Sequence, residues 1–296
     1  MRNLSPDNVT EALTRVFDDT PDPRLKEIMC ALVRHLHDFA REVQLRPEEW
    51  SFAMDALLRA GKISDARRNE FIMFSDILGL SAVVDMMNGS GGKGETAFSQ
   101  LGPFFAADLP LSPSHIVDLC ADLRSVPEGV LPGDPVLFIG TVASSDGTPL
   151  GGALVDAWQT DTDGLYDLQR PELKGAHRLR CRLRTNAEGQ FVLKTIRPLG
   201  YTAPMDGPGG QMLTATHRNI WRPAHFHFRI GAEGHRTLVT ELFPEGDEHL
   251  DNDVAFGVRS SLVLPLPACN SEELARTWGM PVPFKKVDYR FELTRR

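Results

Sequence analysis

One stretch of the chain alternates between polar and apolar side chains: Trp221-Arg222-Pro223-Ala224-His225-Phe226-His227-Phe228-Arg229. This alternation predicts a β-strand with His225 and His227 on one face, because strand side chains alternate with period two. Pro223 cannot donate to a sheet ladder, so the strand is predicted to start there, at an edge. Two imidazoles on one face can bind a common metal ion, although a pair of surface histidines gives the same pattern.

Short strand-like runs with frequent turn signals fill the chain from residue 96 onward. The other predicted strands cover 136–142, 153–159, 178–183, 190–196, 235–242, 255–264 and 288–293. Of these, 178–183 and 190–196 are predicted to pair with each other across a turn at 186–189. Acidic loops at 161–164 and 245–253 lack the spacing of a calcium loop and are predicted to be solvated turns. Strands without intervening helices predict an antiparallel β-sandwich.

Residues 1–95 have helical patterns instead. Apolar residues recur every three or four positions over 9–17, 25–43 and 50–58, and a longer helical region is predicted over 64–88. The glycine-rich segment 89–94 is predicted to be a linker. Amphipathic helices must bury their apolar faces, here against the β part or a second subunit. The sequence therefore predicts a mainly β chain with an N-terminal helical dimerisation region over 1–95 and a β-sandwich domain over 96–296 that carries the site.

Composition narrows the class of protein. The 296 residues are 42% hydrophobic and 24% charged, as in soluble globular proteins with a sizeable core. A net charge of −8 argues against a nucleic-acid partner. No apolar run of about 18 residues predicts a membrane span. The four cysteines form no CxxC pair and the N-terminus has no apolar signal core, so we expect reduced thiols and a cytoplasmic location.

Two further side-chain types stand in unusual places. The chain has only three tyrosines, and Tyr166 and Tyr201 both follow turn-rich segments. Each could simply be a packing aromatic in a loop with its hydroxyl in water. Asp76 falls within the apolar run 71–78, where a carboxylate either caps a local break in the backbone or faces a polar pocket.

Three motifs together resemble the signatures of the intradiol ring-cleavage dioxygenases. The first is Gly147-Thr148-Pro149-Leu150-Gly151-Gly152-Ala153-Leu154-Val155-Asp156-Ala157-Trp158-Gln159 with Gly164-Leu165-Tyr166-Asp167. The second is Gly200-Tyr201 with Pro204-Met205-Asp206-Gly207-Pro208-Gly209-Gly210, and the third is Arg222-Pro223-Ala224-His225-Phe226-His227. They occur in the order and at the spacing of that family. The resemblance covers nearly the whole chain, and the N-terminal helices and segment 101–104 are similar to its catechol and hydroxyquinol branch.

The resemblance implies a non-haem Fe(III) ion bound by Tyr166, Tyr201, His225 and His227. These ligand types agree with it, since two phenolates favour the ferric state and are unusual for zinc. Metal binding must deprotonate both tyrosines. The resemblance also implies that Tyr201 is the axial ligand that leaves and takes up a proton, and that Arg222 stabilises negative charge on the substrate ring.

A substrate pocket follows from the same resemblance. Its expected lining is Met73, Asp76, Leu101, Gly102, Pro103, Phe104, Ala203, Pro204, Arg222 and Ala255. Buried Asp76 would favour a substrate with a third hydroxyl, and small Ala203 leaves room for a larger ring substituent. Glu241 stands where the catechol enzymes usually have Gln. We expect it to take part in catalysis either by pairing with Arg222 or by contacting a substrate hydroxyl.

The activity implied is cleavage of hydroxyquinol (1,2,4-trihydroxybenzene) by O₂ to maleylacetate. Catechol or a substituted catechol, giving a cis,cis-muconate, is the alternative. A different class also stays open, because segment 147–153 resembles small transthyretin-like binding modules that lack catalysis and metal; a zinc hydrolase is a third possibility. In the family, the N-terminal helices meet in a homodimer around an apolar groove. This implies a dimer with a bound phospholipid here.

Overall fold

The computed structural model describes residues 3–89, 94–107, 120–126, 129–174 and 176–296. Residues 90–93 of the predicted linker lie outside these ranges. The chain divides into two compact units, one ending at Leu58 and the other running from Arg59 to Arg296. The functional boundary near residue 95 stays a prediction. Within the described ranges, no helix combines the length and the apolar character that crossing a membrane requires.

The N-terminal part is helical, as the sequence predicts. Helices α1 to α5 have the bounds Val9–Val16, Pro23–Glu42, Pro47–Ile63, Glu70–Ile77 and Leu80–Asn88. The Asn69 side chain accepts hydrogen bonds from two N–H groups of the first turn and caps α4. The single helical region predicted over 64–88 is two helices, because Gly79 adopts a left-handed conformation with φ of 75°. This break turns the chain between α4 and α5.

The second unit contains two five-stranded sheets. Strands β1 to β7 have the bounds Cys120–Asp122, Ser125–Val126, Gly129–Val130, Pro135–Ser144, Leu154–Gln159, Arg180–Arg184 and Gln190–Ile196. Strands β8 to β14 have the bounds Tyr201–Thr202, Trp221–Arg222, Phe226–Gly231, Leu238–Pro244, Val263–Leu264, Ala268–Cys269 and Phe284–Leu293. Helix α6 covers Pro208–Ala215 and α7 covers Glu272–Trp278.

The strand order is β1-β7-β4-β14-β13 in one sheet and β12-β11-β10-β5-β6 in the other. The predicted mainly β sandwich with a helical N-terminal part is confirmed. The sheets are mixed, however, because β14 runs parallel to β4 over Lys285 to Leu293. Strands β5 to β13 lie between β4 and β14 in the chain, and so long a connection lets two strands run in the same direction.

Three local predictions are wrong. Strands β6 and β7 do not pair; β6 lies beside β5 and β7 beside β4, in different sheets. A turn signal between two strands does not say whether the chain folds back or crosses to the facing sheet. The predicted strand 255–264 is mostly irregular and ends in a short 3-10 turn, Ser260–Leu262, followed by the two residues of β12. The histidine strand is interrupted at 223–225, so β10 begins at Phe226.

The inter-sheet core explains which way the histidine strand faces. Phe228 on β10 packs on Phe138 and Phe291 of the other sheet, with ring centroids 5.1 and 4.8 Å apart. Each such ring contributes roughly 2 kcal/mol by leaving water. Because side chains alternate along a strand, a core position for Phe228 places His227 on the opposite face of the sheet. The site therefore lies on the face of this sheet that points away from the core.

Candidate metal centre and active site

Four side chains from separate segments supply the candidate donor atoms. His227 is in β10, and His225 is in the short irregular segment just before it. Tyr201 is in β8, paired in register with Arg222 on β9. Tyr166 precedes a 3-10 turn, and its backbone N–H donates to the Gln169 side chain at 3.0 Å. Two strand pairs and one capped turn thus fix the positions of the donors.

The four donor atoms are close together, with Tyr166 Oη in contact with the other three. Tyr166 Oη lies 3.1 Å from Tyr201 Oη, 3.0 Å from His225 Nε2 and 3.0 Å from His227 Nε2. The two imidazole Nε2 atoms are 3.1 Å apart. Donor atoms that each stand about 2 Å from one ion, near right angles, would be separated by roughly these distances. All four residues are buried. Their chemistry, two hydroxyls and two imidazole nitrogens, fits a metal ion.

Burial sets the protonation of these groups. It lowers the pKa of His225 to about 4, with the nearby Arg222 charge contributing. It also lowers the pKa of His227 and raises the pKa values of Tyr166 and Tyr201. Both imidazoles are therefore neutral near pH 7, as a metal ligand must be. His225 Nδ1 donates to the Pro223 carbonyl oxygen at 2.7 Å, which leaves its Nε2 lone pair free for the donor cluster.

Arg222 lies beside the donors and is paired on two sides. Its guanidinium donates to Glu241 at 2.8 and 3.1 Å and to Asp253 at 3.1 and 3.2 Å. Burial acts to raise the pKa of Glu241, but the Arg222 charge and the hydrogen bonds from Arg222 and Ser99 together outweigh it, so the pKa is lowered. Of the two roles expected for Glu241, the geometry favours pairing with Arg222 over contact with substrate. The Ser99 hydroxyl occupies its second oxygen at 2.7 Å.

A cavity adjoins the donor cluster. Its lining is Met73, Asp76, Ile77, Pro103, Phe104, Tyr201, Ala203, Pro204, Arg222, Val254 and Ala255. Most of the expected pocket residues are therefore together. Leu101 instead packs in the aromatic cluster around Tyr166. Gly102 has φ of 72°, and a Cβ there would stand 3.3 Å from His227 Cε1. It therefore packs against the donor cluster and does not line the cavity.

Asp76 borders this cavity and has one unpaired acceptor oxygen. It is 5% exposed, and its Oδ1 has no hydrogen-bond partner in the described structure. Burial raises the pKa of Asp76 to about 7. A buried carboxyl oxygen without a donor costs free energy unless a ligand supplies one. Of the two interpretations weighed from sequence, the position favours a polar pocket over a backbone cap.

Sequence reasoning missed several residues around the site. Ile77 and Val254 line the cavity, and Ser99 and Asp253 fix Glu241 and Arg222. The prediction that the acidic loop 245–253 is a solvated turn is wrong for Asp253, which is buried against Arg222. Asp161 is likewise buried and pairs with Arg170. An acidic run gives no sign of which carboxylate turns inward, because the arginine partner is remote in sequence.

Comparison with known proteins assigns the chain to a family. A family profile described as "Dioxygenase" matches residues 111–295, and one described as "Catechol dioxygenase N terminus" matches residues 22–96. The chain belongs to the intradiol ring-cleavage dioxygenases. Membership of an enzyme family favours the predicted enzyme over a non-catalytic binding module.

Individual relatives of this dioxygenase cover most of its length. A 6-chlorohydroxyquinol 1,2-dioxygenase of Cupriavidus pinatubonensis is 43% identical over 263 residues, covering 89% of this chain and 92% of its own. A hydroxyquinol 1,2-dioxygenase of a Rhizobium species is 37% identical over 278 residues, covering 94% and 91%. The crystal structure of hydroxyquinol 1,2-dioxygenase from Pseudomonas putida superposes with a TM-score of 0.78 at 36% identity, covering 98% and 99%.

The register of this dioxygenase explains how Glu241 reaches the site. Strand β10 pairs with β11 so that His227 faces Glu241, and with β5 so that His227 faces Trp158. Cross-strand neighbours on one face are about 5 Å apart at Cβ. The three side chains therefore form a row across the sheet. The spacing of fourteen residues between His227 and Glu241 is the length of this hairpin.

Proposed function

We propose that this dioxygenase uses Fe(III) to cleave hydroxyquinol with O₂ between its adjacent hydroxylated carbons, giving maleylacetate. One observation carries the proposal: a single cavity is bordered by Tyr201, Arg222 and Asp76. These are a donor of the candidate metal centre, a buried cation and an unpaired acceptor. A substrate with two adjacent hydroxyls and a third one on the ring matches that set. Similarity to hydroxyquinol enzymes supports the choice.

Tyr166, Tyr201, His225 and His227 would hold the iron. When bound, ferric iron would withdraw electron density from a coordinated diol and make a ring carbon reactive towards O₂. His225, His227 and Glu241 could also form a two-histidine, one-carboxylate site typical of Fe(II). Both Glu241 oxygens, however, accept hydrogen bonds from Arg222 or Ser99, whereas Tyr166 Oη is within 3.0 Å of both imidazoles. This supports the tyrosine set.

Tyr201 has the position to exchange with substrate. Of the four donors, it is the one that borders the cavity, so an entering diol meets its hydroxyl first. We propose that Tyr201 would be the metal-holding residue that substrate displaces, and that its phenolate oxygen would accept one proton from the diol. Arg222 borders the same cavity and keeps a cation beside the ring oxygens, where negative charge develops.

Asp76 would select the third hydroxyl. Its unpaired Oδ1 can accept a hydrogen bond from that group, which catechol lacks. A site built to bind a hydroxyl discriminates strongly against the analogue without it, because the buried acceptor is then left unpaired. The Ser81 side chain hydrogen-bonds to the Asp76 carboxyl group and opposes the effect of burial on its pKa, but Oδ1 has no partner in the described structure. Asp76 therefore supports hydroxyquinol over catechol.

A substituted catechol, giving a cis,cis-muconate, is the second candidate. Ala203 borders both the inner cavity and an open cleft of about 820 Å³. Tyr201, Phe104 and Pro204 also border both spaces. A small side chain at this junction leaves room for a ring substituent to extend outward from the inner cavity.

The first experiment is a visible absorption spectrum of the iron-loaded protein, followed by anaerobic addition of hydroxyquinol or catechol. We expect a tyrosinate-to-iron band that shifts with hydroxyquinol at lower concentration than with catechol. A protein that stays colourless after iron is supplied would overturn the ferric site. A larger spectral shift with catechol than with hydroxyquinol would show that catechol is the preferred substrate.

The role of Asp76 has its own test. Asp76→Ala should lower the ratio of kcat/KM for hydroxyquinol over catechol by at least about tenfold. Asp85→Asn is a matched control, because Asp85 lies on the next helix and does not border the cavity. An unchanged ratio in Asp76→Ala would show that Asp76 does not recognise the third hydroxyl of the substrate.

We also propose a cytoplasmic homodimer that binds a phospholipid between its N-terminal helices. Exposed apolar residues recur along one stripe of α2 and its C-terminal cap: Leu25, Ile28, Leu32, Leu36, Phe39 and Val43. Such a stripe is costly in water and needs a partner surface. Sedimentation and native mass spectrometry should give a dimer with added lipid mass. Replacing Leu32 and Leu36 with Glu should give a monomer without it.

A further inference from the structure

The guanidinium of Arg222 is nearly saturated by carboxylates. It has five N–H groups. Nε and Nη2 donate to Asp253, while Nη1 and Nη2 donate to Glu241. These four bonds leave one N–H, on Nη1, and Nη1 is 3.3 Å from His225 Nε2. Arg222 thus presents one donor to the site, held in a fixed direction by two bidentate partners.

The two carboxylates are compensated differently. Asp253 also accepts the backbone N–H groups of Ala255 and Gly257, so four donors surround its charge. Among the described residues, Glu241 receives besides Arg222 only the single proton of the Ser99 hydroxyl, which also lies 2.9 Å from the Gly257 carbonyl oxygen. One arginine cannot neutralise two carboxylates. The buried group therefore carries a net charge of about −1.

The excess charge lies beside the metal donors. Glu241 Oε1 is 3.5 Å from His225 Nε2 and 3.5 Å from His227 Nδ1. Nδ1 of His227 has no hydrogen-bond partner in the described structure. Asp253 makes its contacts on the other edge of the guanidinium. Glu241 is therefore the carboxylate whose charge acts on both imidazole ligands.

We propose that Glu241 is a positioning residue that aims Arg222 and places a fixed negative charge beside His225 and His227, holding the bound iron in its ferric state. A buried negative charge stabilises a trivalent ion more than a divalent one, because attraction grows with charge and is little screened in the interior. The inference rests on the proposed function. A trihydroxybenzene is a reducing substrate, so a ferric enzyme that binds it must resist reduction. The negative charge of Glu241 would give the iron that resistance.

The test is the reduction potential of the iron in the full-length holoprotein, titrated anaerobically while the visible band is followed. The potential reports the ratio of Fe(III) to Fe(II) affinity, so a variant that merely loosens the site weakens both and leaves the potential unmoved. Glu241→Gln should weaken Fe(III) relative to Fe(II) at least about tenfold, a rise of about 59 mV for one electron. Gln can still accept from Arg222 and donate to Ser99, so the fold should persist.

Two further variants complete the test. Glu70→Gln is the matched control, because Glu70 is equally buried, pairs with Arg68 and does not contact the donor atoms; its potential should equal the wild type. Ser99→Ala removes a donor from Glu241 without removing its charge, so its potential should fall. This opposite shift tests the inference even if Glu241→Gln cannot be loaded with iron.

The outcomes separate the two proposals. A wild-type protein without a tyrosinate band would overturn the proposed function. A coloured wild type whose potential is the same in Glu241→Gln and unchanged in Ser99→Ala would overturn the role of Glu241 alone. A shift of the reduction potential in Glu70→Gln as large as in Glu241→Gln would also overturn it. The effect would then come from any buried carboxylate and not from the position of Glu241.

Discussion

The indole ring of Trp158 lies parallel to the imidazole of His227, with 4.6 Å between ring centroids and 8° between ring planes. The register of β5 and β10 produces this stack, since the two residues face each other across the strands. The Arg180 guanidinium is 6.0 Å from the centroid of the Trp158 ring. The indole therefore fixes the plane of one candidate metal ligand, and a fixed plane aims its Nε2 at the other donors.

Trp158→Phe should weaken iron binding by about tenfold, because residues that orient a ligand typically contribute that much to metal affinity. Competition with a chelator measures the change. Trp221→Phe is the matched control, since Trp221 also stacks on a histidine, His249, at 4.9 Å and outside the donor cluster. Equal losses of affinity in the two variants would show that the stack on His227 has no special role.

Tyr201→Phe should keep iron through the three remaining donors but lose at least about 10²-fold in turnover, because the oxygen that exchanges with substrate is gone. Steady-state oxygen uptake and the visible band measure both effects. Tyr289→Phe serves as the control. Tyr289 packs edge-on against Phe291 on β14, away from the donor cluster, and its variant should keep both colour and turnover. Near-normal turnover in Tyr201→Phe would contradict the exchange role.

Asp76 should make stability depend on pH. Its pKa is raised to about 7 by burial, whereas an unfolded Asp titrates near 3.9. Between these values the folded state binds a proton that the unfolded state does not, so stability falls as pH rises from about 4 to about 7. Asp76→Asn removes this loss and should be more stable than the wild type at about pH 8 by on the order of 4 kcal/mol, since each pKa unit is worth about 1.4 kcal/mol. Urea unfolding at several pH values measures it, and a parallel pH dependence in both proteins would contradict the argument.

Gly189 should be intolerant of any side chain. It has φ of 74°, and a Cβ there would stand 2.3 Å from the Val142 carbonyl oxygen. Gly189→Ala should cost roughly 3 kcal/mol, combining backbone strain with a clash. Gly234→Ala isolates the strain, because Gly234 has φ of 70° with nothing within 4 Å, and it should cost about 1 kcal/mol. Similar melting temperatures for the two variants would show that the clash relaxes.

The histidine strand illustrates what local sequence can and cannot predict. Alternation around Phe226 and Phe228 indicated a strand with the two histidines on one side, and β10 has that form from Phe226 onward. It could not indicate that the chain leaves the sheet at 223–225 or that β6 and β7 enter different sheets. Pairing depends on hydrogen bonds between segments distant in the chain, and a turn signal is the same in either case.

The sequence by itself determined the family, the mainly β architecture and the residue types of the candidate donors, because these depend on local periodicity and on motifs within short segments. Only the tertiary structure decided that Glu241 faces His227, that Asp253 turns inward to Arg222 and that Oδ1 of Asp76 is left without a donor in the described structure. Each of these depends on which groups folding brings together and which it removes from water. A buried charge acquires its role from neighbours that are remote in the chain.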